Sequence, residues 1–237
     1  MYKGKNVLAI VPARGGSKGV KLKNLQPVCG VPLVALVGKI VKQVPIIDRA
    51  VVSTDHQEIA RVAQESGLDA PFMRPPELSG DRISDLDVLT QALLEVERID
   101  GQQYDIIVML QPTSPLRKPE HVISTIGKLV NDNLDSVWTV SETDSKHHPL
   151  KQLTISDDGL GYYDISGKEI IARQQLKTLY HRNGVAYAMT RECLLEQKTI
   201  MGKKAGAVVV EEPMVSIDTY LDFELVEFLI NKPKGGL

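Results

Sequence analysis

The sequence predicts an α/β fold, a mostly parallel sheet with helices on both faces. Three observations carry this expectation. Short continuous apolar runs alternate with segments of helical periodicity along most of the chain. The loops between them are short and punctuated by Gly and Pro. The most unusual segments follow apolar runs, and in such sheets ligands bind outside the carboxyl ends of the strands. With 237 residues the chain has room for one large domain and a substantial core.

Each element has its own signal. Val7 to Val11 is a continuous apolar run ended by Pro12 and Gly15, as in a strand buried on both faces. Pro32 to Val44 reads as a helix, with Pro32 in the first turn, where a missing N–H costs little. Ala50 to Ser53 is a second strand. His56 to Ser66 is a helix with Asp55 as its expected N-cap and Gly67 as its C-cap. From Ser84 to Ile99, Leu86, Leu89, Leu93 and Val96 fall on one helical face. Ile106 to Leu110 is a third strand, Pro119 to Val130 a helix, and Ser136 to Val140 a fourth strand. Between about 142 and 180 the helical period fades into turn-rich sequence, read as a surface excursion or an arm that pairs with another subunit. Gly184 to Met189 and Ala207 to Val210 return as strands. Tyr220 to Asn231 closes the chain as a helix before a frayed KPKGGL tail. There are no internal repeats, so the expectation is one domain over 1–237 with an inserted arm at about 142–180.

Composition narrows the function. A formal net charge of -2 gives no global basic field, so neither nucleic acid nor a membrane surface is an expected partner. A polyanion would have to be held by a local cluster of cations. Cys29 and Cys193 form no CxxC pattern and read as two reduced thiols. The N-terminal apolar run is too short for a signal core or a membrane span, which points to the cytoplasm.

Such a local cluster exists at Pro12-Ala13-Arg14-Gly15-Gly16-Ser17-Lys18-Gly19, followed by Lys21, Lys23 and Asn24. Three glycines let the backbone approach a ligand closely, and successive N–H groups in such a loop form an anion nest. Arg14, Lys18, Lys21 and Lys23 add the charge a nucleoside triphosphate needs. The loop matches neither a Walker A motif nor GxGxxG.

This segment, PARGGSKGVKLKN, resembles the nucleotide-binding loop of the CMP-sialic acid synthetases, the N-acylneuraminate cytidylyltransferases. Further segments resemble that family in the same order: Ser53-Thr54-Asp55 with Glu58-Ile59, Arg74-Pro75 with Leu78, Leu110 to Arg117 (LQPTSPLR), Arg182-Asn183-Gly184 with Tyr187, and Ser216-Ile217-Asp218 with Asp222-Phe223. The resemblance spans nearly the whole chain. It implies a Rossmann-like domain with an inserted dimerisation arm, a homodimer, and Mg2+ as cofactor. It also implies transfer of CMP from CTP to the anomeric hydroxyl of an acidic nine-carbon 2-keto sugar.

The resemblance assigns roles residue by residue. Arg14, Lys18 and Lys23 face the triphosphate, with Gly15, Ser17 and Asn24 in the same loop and Arg74 near the nucleoside. Lys23, Arg14 and Asp218 are the expected catalytic set, and Asp218 the metal ligand. Gln111, Arg173, Gln174, Asn183 and Tyr187 form the expected sugar-contacting set, in which a guanidinium suits a carboxylate. Two departures stand out. Ala172 replaces the first of a frequent arginine pair, and Ser216 replaces the first aspartate of an Asp-x-Asp metal motif. Related acidic sugars, legionaminic or pseudaminic, are therefore alternatives. From another class, a non-catalytic nucleotide-binding scaffold is the alternative that Ser216 favours.

Overall fold

The computed structural model describes residues 1–157 and 159–232. The expected tail beyond Lys232 and the turn residue Asp158 lie outside the described residues. The first strand, β1 (Val7–Pro12), alternates its side chains between two hydrophobic clusters. Val7, Ala9 and Val11 face one cluster, while Leu8 and Ile10 face the other. Both sets are fully buried, which is why the run is continuously apolar rather than alternating.

Two short strands, β2 (Pro27–Val28) and β3 (Val31–Pro32), form a tight hairpin ahead of α1 (Leu33–Val41). Then follow β4 (Arg49–Ser53), α2 (Gln57–Ser66), α3 (Asp85–Asp100), β5 (Ile106–Met109), α4 (Pro119–Asn131) and β6 (Ser136–Glu142). A small hairpin of β7 (Leu153–Ser156) and β8 (Gly159–Tyr162) lies in the turn-rich segment. The chain returns through β9 (Tyr180–Thr190), α5 (Arg191–Leu195) and β10 (Ala205–Val209), and ends in α6 (Tyr220–Asn231).

The main sheet has six strands in the order β10-β6-β9-β5-β1-β4. β1 pairs parallel with β4 and β5, and β10 pairs parallel with β6. β9 runs antiparallel between β5 and β6. The expected mostly parallel sheet is thus present, with one reversed strand at its centre. One face is covered by α1, α2 and α4 through residues such as Val34, Ile59, Ala63, Val122 and Ile126. The other is covered by α3 and α5 through Leu89, Leu93, Val96 and Leu194. No described helix is long and apolar enough to cross a membrane.

Several local expectations are corrected. The first helix begins at Leu33 with Pro32 at its N-cap position, and it ends at Val41 rather than Val44. Asp55 is not the cap of α2. His56 holds that position without a side-chain cap, and the Asp55 carboxylate instead accepts from the Gly15 N–H at 2.7 Å. Gly67 does end α2 at φ 102°, a left-handed conformation that glycine adopts without strain. Asp222 sits at the third position of α6. There it reciprocates the Thr219 cap by accepting from the Thr219 N–H at 2.7 Å. Both thiols are free: Cys29 is exposed, and burial pushes the Cys193 thiol up to about 11. The residues of β7 and β8 are exposed, including Leu153, Ile155 and Leu160.

Candidate active site

Because β1, β4 and β5 are parallel neighbours, their carboxyl ends bring three loops together. These loops enclose a cavity of about 560 Å³. Of the residues expected to act, Arg14, Ser17, Lys18, Lys23, Asn24, Arg74, Gln111 and Asp218 line it, as does Ser216. They come from four separate stretches of chain, so no local feature of the sequence alone places them side by side.

The glycine-rich loop is held from several sides. Gly15 is tied to Asp55, and the buried Asn24 amide donates to the Arg14 carbonyl at 3.0 Å. Gly19 packs directly on the C-terminal loop, where an added Cβ would lie 2.4 Å from the Asp218 carbonyl oxygen. Only glycine permits that approach. Lys23 opens a short 3₁₀ turn (23–25) and donates to the Ile217 carbonyl at 2.7 Å while pairing with Asp218 Oδ1 at 2.8 Å. The Lys23 side chain is 13% exposed and that of Asp218 76%, so the cation is the fixed member of the pair. An ammonium has three donors, and two are used here.

Arg74 is buried beside β4. Its Nε donates to Ser53 Oγ at 2.9 Å and its Nη2 to the Ser53 carbonyl at 2.5 Å. Burial pulls its pKa down to about 10, which leaves it charged at neutral pH. Gln111 follows β5. Its loop is braced by Arg117, which is 4% exposed and donates to the carbonyls of Val185, Gln111 and Gly184 at 2.5, 2.6 and 3.1 Å. Gly184 has φ 73°, and an added Cβ there would lie 2.5 Å from Gln111 Oε1. The turn into β9 is therefore fitted against the Gln111 side chain.

Four expected sugar-contacting residues do not line the cavity. Arg173 and Gln174 are exposed in the turn-rich segment. Asn183 is buried, with its carbonyl oxygen accepting from Thr139 Oγ1 at 2.7 Å and its amide donating to Ser141 Oγ at 3.0 Å. Tyr187 is 2% exposed; its hydroxyl accepts from the Gly184 N–H at 2.7 Å and its ring packs on Trp138 at 4.9 Å. Within one chain these two shape the β9 turn. Gly15 flanks the cavity without lining it.

The structure adds residues that sequence reasoning missed. Asp81, Asp85, Ile83 and Val88 line the cavity from the start of α3 and the turn before it. The Asp81 carboxylate meets Arg14 Nη1 at 2.7 Å and Lys18 Nζ at 2.5 Å. A carboxylate in a glycine-flanked turn is ordinary in sequence, and nothing there marks this one.

The donor set suits magnesium on chemical grounds. That ion takes one or two carboxylates and completes its shell with water and phosphate oxygens. Asp218 presents an exposed carboxylate at the cavity wall, and Ser216 stands beside it. Asp222 is spent on backbone N–H groups of residues 218 and 219. Among the described residues no group of three or more His, Cys, Asp or Glu is arranged to hold a metal by itself.

Comparison with known proteins fits this geometry. A family model described as cytidylyltransferase matches residues 8–229. The flagellin modification protein B of Campylobacter coli is 31% identical over 95% of each chain. CMP-N,N'-diacetyllegionaminic acid synthase of Campylobacter jejuni is also 31% identical over 95% of each. N-acylneuraminate cytidylyltransferase of Streptococcus agalactiae serotype V is 31% identical over 91% of this chain, which spans only 51% of that longer relative. Among solved structures, a CMP:2-keto-3-deoxy-manno-octonic acid synthetase complexed with CTP superposes with a TM-score of 0.69. It covers 95% of this chain and 98% of its own at 21% identity, a likeness of fold. A match that runs through every strand and helix of the main sheet leaves one assignment: the chain belongs to the cytidylyltransferase family, which includes the CMP-sialic acid synthetases.

Proposed function

We propose that the chain is a cytidylyltransferase of the N-acylneuraminate type. It would join CMP from CTP to the anomeric hydroxyl of an acidic nine-carbon 2-keto sugar and release pyrophosphate. The observation that carries this reading is the convergence of Arg14, Lys18, Lys23, Arg74, Gln111 and Asp218 on one cavity at the carboxyl ends of the strands. The anomeric oxygen forms a bond to the α-phosphorus as the bond to the β-phosphate oxygen breaks. Charge then grows on the departing pyrophosphate, and the work of the protein is positioning and neutralisation. Lys23, held by Ile217 and Asp218, supplies a fixed cation for it. Arg14 and Lys18 supply two more from the glycine-rich loop. Gln111 would hydrogen-bond the sugar. Magnesium, when bound, would screen phosphate charge, with Asp218 as its protein carboxylate and Ser216 through a water.

A second reading changes only the sugar. The legionaminic acid synthase matches end to end, whereas this chain spans about half of the streptococcal N-acylneuraminate enzyme, and Ala172 departs from the frequent arginine pair. Pyrophosphate release with CTP and magnesium, run against N-acetylneuraminic, legionaminic, pseudaminic and deoxy-octulosonic acids, separates these readings. Turnover with N-acetylneuraminic acid is the expected outcome. Turnover with a different sugar alone would move the substrate and keep the reaction. CTP binding without turnover on any of them would favour the scaffold.

The same reading takes the chain to act in the cytoplasm as a homodimer. The exposed apolar residues Ile155, Leu160 and Ile171 in the turn-rich segment are what a second copy would cover. Light scattering should give twice the chain mass of 26.1 kDa, and a monomeric mass at micromolar concentration would remove that role.

A further inference from the structure

Three of the four cations that line the cavity are already partnered by carboxylates of the same chain. Lys23 is paired with Asp218, and Arg14 and Lys18 share Asp81, one to each carboxylate oxygen. Asp81 lies in the turn between the 3₁₀ turn at 76–78 and α3, and both it and Gly80 line the cavity. Its two oxygens therefore stand on the two side chains that would meet phosphate oxygens. The contacts with Lys18 and then Arg14 hold the Asp81 carboxyl below the usual carboxylate range, so it is charged at neutral pH.

We propose that Asp81 is an internal counter-anion, a strap that closes over Arg14 and Lys18 and yields only to a polyphosphate. The inference rests on the proposed function and adds a discrimination step to it. Arg14, Lys18 and Asp81 side chains are 32%, 79% and 38% exposed, and ion pairs so placed are individually weak. A triphosphate brings several charges and many oxygens to the same cations and displaces one carboxylate readily. A nucleoside monophosphate ester brings a single phosphate and does not. Once chemistry has divided CTP, the strap competes with pyrophosphate for Arg14 and Lys18 and so favours its departure.

The test is calorimetric binding of inorganic tripolyphosphate, CTP and CMP to the full chain without added magnesium, comparing wild type with D81N and D81E. D81N should bind tripolyphosphate and CTP about tenfold tighter and should gain at least as much for CMP, because a monophosphate then meets cations it could not free by itself. D81E, which keeps the charge, should stay near wild type. Asp81 is exposed, so D81N is expected to unfold at the wild-type temperature, and D81S serves as a second neutral variant with the same expected direction. Equal or weaker tripolyphosphate binding by D81N and D81S overturns the strap. A wild-type chain that binds neither CTP nor tripolyphosphate overturns the nucleotide reading itself, which separates the two failures.

Discussion

The Lys23→Ala variant is expected to lose about 10²- to 10³-fold in kcat while keeping its fold, because a preorganised donor aimed at developing charge contributes on that scale. Lys23 is the best-fixed of the three cations placed at the triphosphate. Its ammonium is held on one side by the Ile217 carbonyl at 2.7 Å and by Asp218 at 2.8 Å, and its stem is largely covered. Arg14 and Lys18 are more exposed and are shared with Asp81. A cation that is already oriented costs no reorganisation as charge builds on the leaving group. Removing it leaves the Ile217 carbonyl without its donor, a loss of about 1 kcal/mol for a single hydrogen bond. For a chain of this length that lowers Tm by only about 2–4 °C. Steady-state kinetics at saturating CTP, together with a thermal melt, make the check. A near-normal rate in a folded Lys23→Ala variant would remove Lys23 from the mechanism.

The frame of this fold is legible because its strands are buried on both faces. A strand such as Val7–Pro12 has no polar side to interrupt the apolar run, so it stands out from the amphipathic helices around it. The glycine-rich loop is legible for a different reason. Its glycines allow a close backbone approach, and that of Gly19 to the Asp218 carbonyl gives one physical reason for them. The direction of β9 is not legible. Its residues read as a strand in either orientation, and the antiparallel pairing follows from where the turn-rich segment delivers the chain.

The site is unevenly legible for similar reasons. Arg14, Lys23, Gln111 and Asp218 lie at strand ends or in marked loops, so their meeting follows from the topology. Asp55 has the residue type and place of an N-cap, yet the nearby Gly15 N–H claims its carboxylate across 40 residues of sequence. Local capping preference lost to a tertiary contact. Asp81 carries no periodicity or motif, and only the folded proximity of Arg14 and Lys18 gives it meaning. Asn183 and Tyr187 illustrate the converse. Their types suit a sugar, and in the folded chain their polar atoms are satisfied by Thr139, Ser141 and Gly184 instead.

Arg117 ties these observations to stability, and its replacement is expected to be the most destabilising single change in the site. It is buried with no carboxylate partner; burial pushes its pKa down to about 9, and three main-chain carbonyls supply its compensation. Those carbonyls belong to the Gln111 loop and to Gly184 and Val185 of β9, so one guanidinium joins a loop of the cavity wall to the strand behind it. Arg117→Met fills much of the volume and takes the guanidinium donors from the Gly184 and Val185 carbonyls, while the Gln111 carbonyl keeps only the Ser114 N–H. The expected cost is about 3 kcal/mol, and for a chain of this length Tm falls by about 6–12 °C. Arg117→Lys keeps the charge, yet a single ammonium on a flexible stem cannot reproduce the planar fork, so it should recover less than half of the loss. Urea unfolding should show a lower midpoint at unchanged slope, the sign of lost stability rather than a changed unfolded state. Assayed where both proteins are folded, Arg117→Met should also raise KM for the sugar more than KM for CTP, because Gln111 sits in the loop that is released. A Tm within about 2 °C of wild type would show that the loop and β9 are held by other contacts.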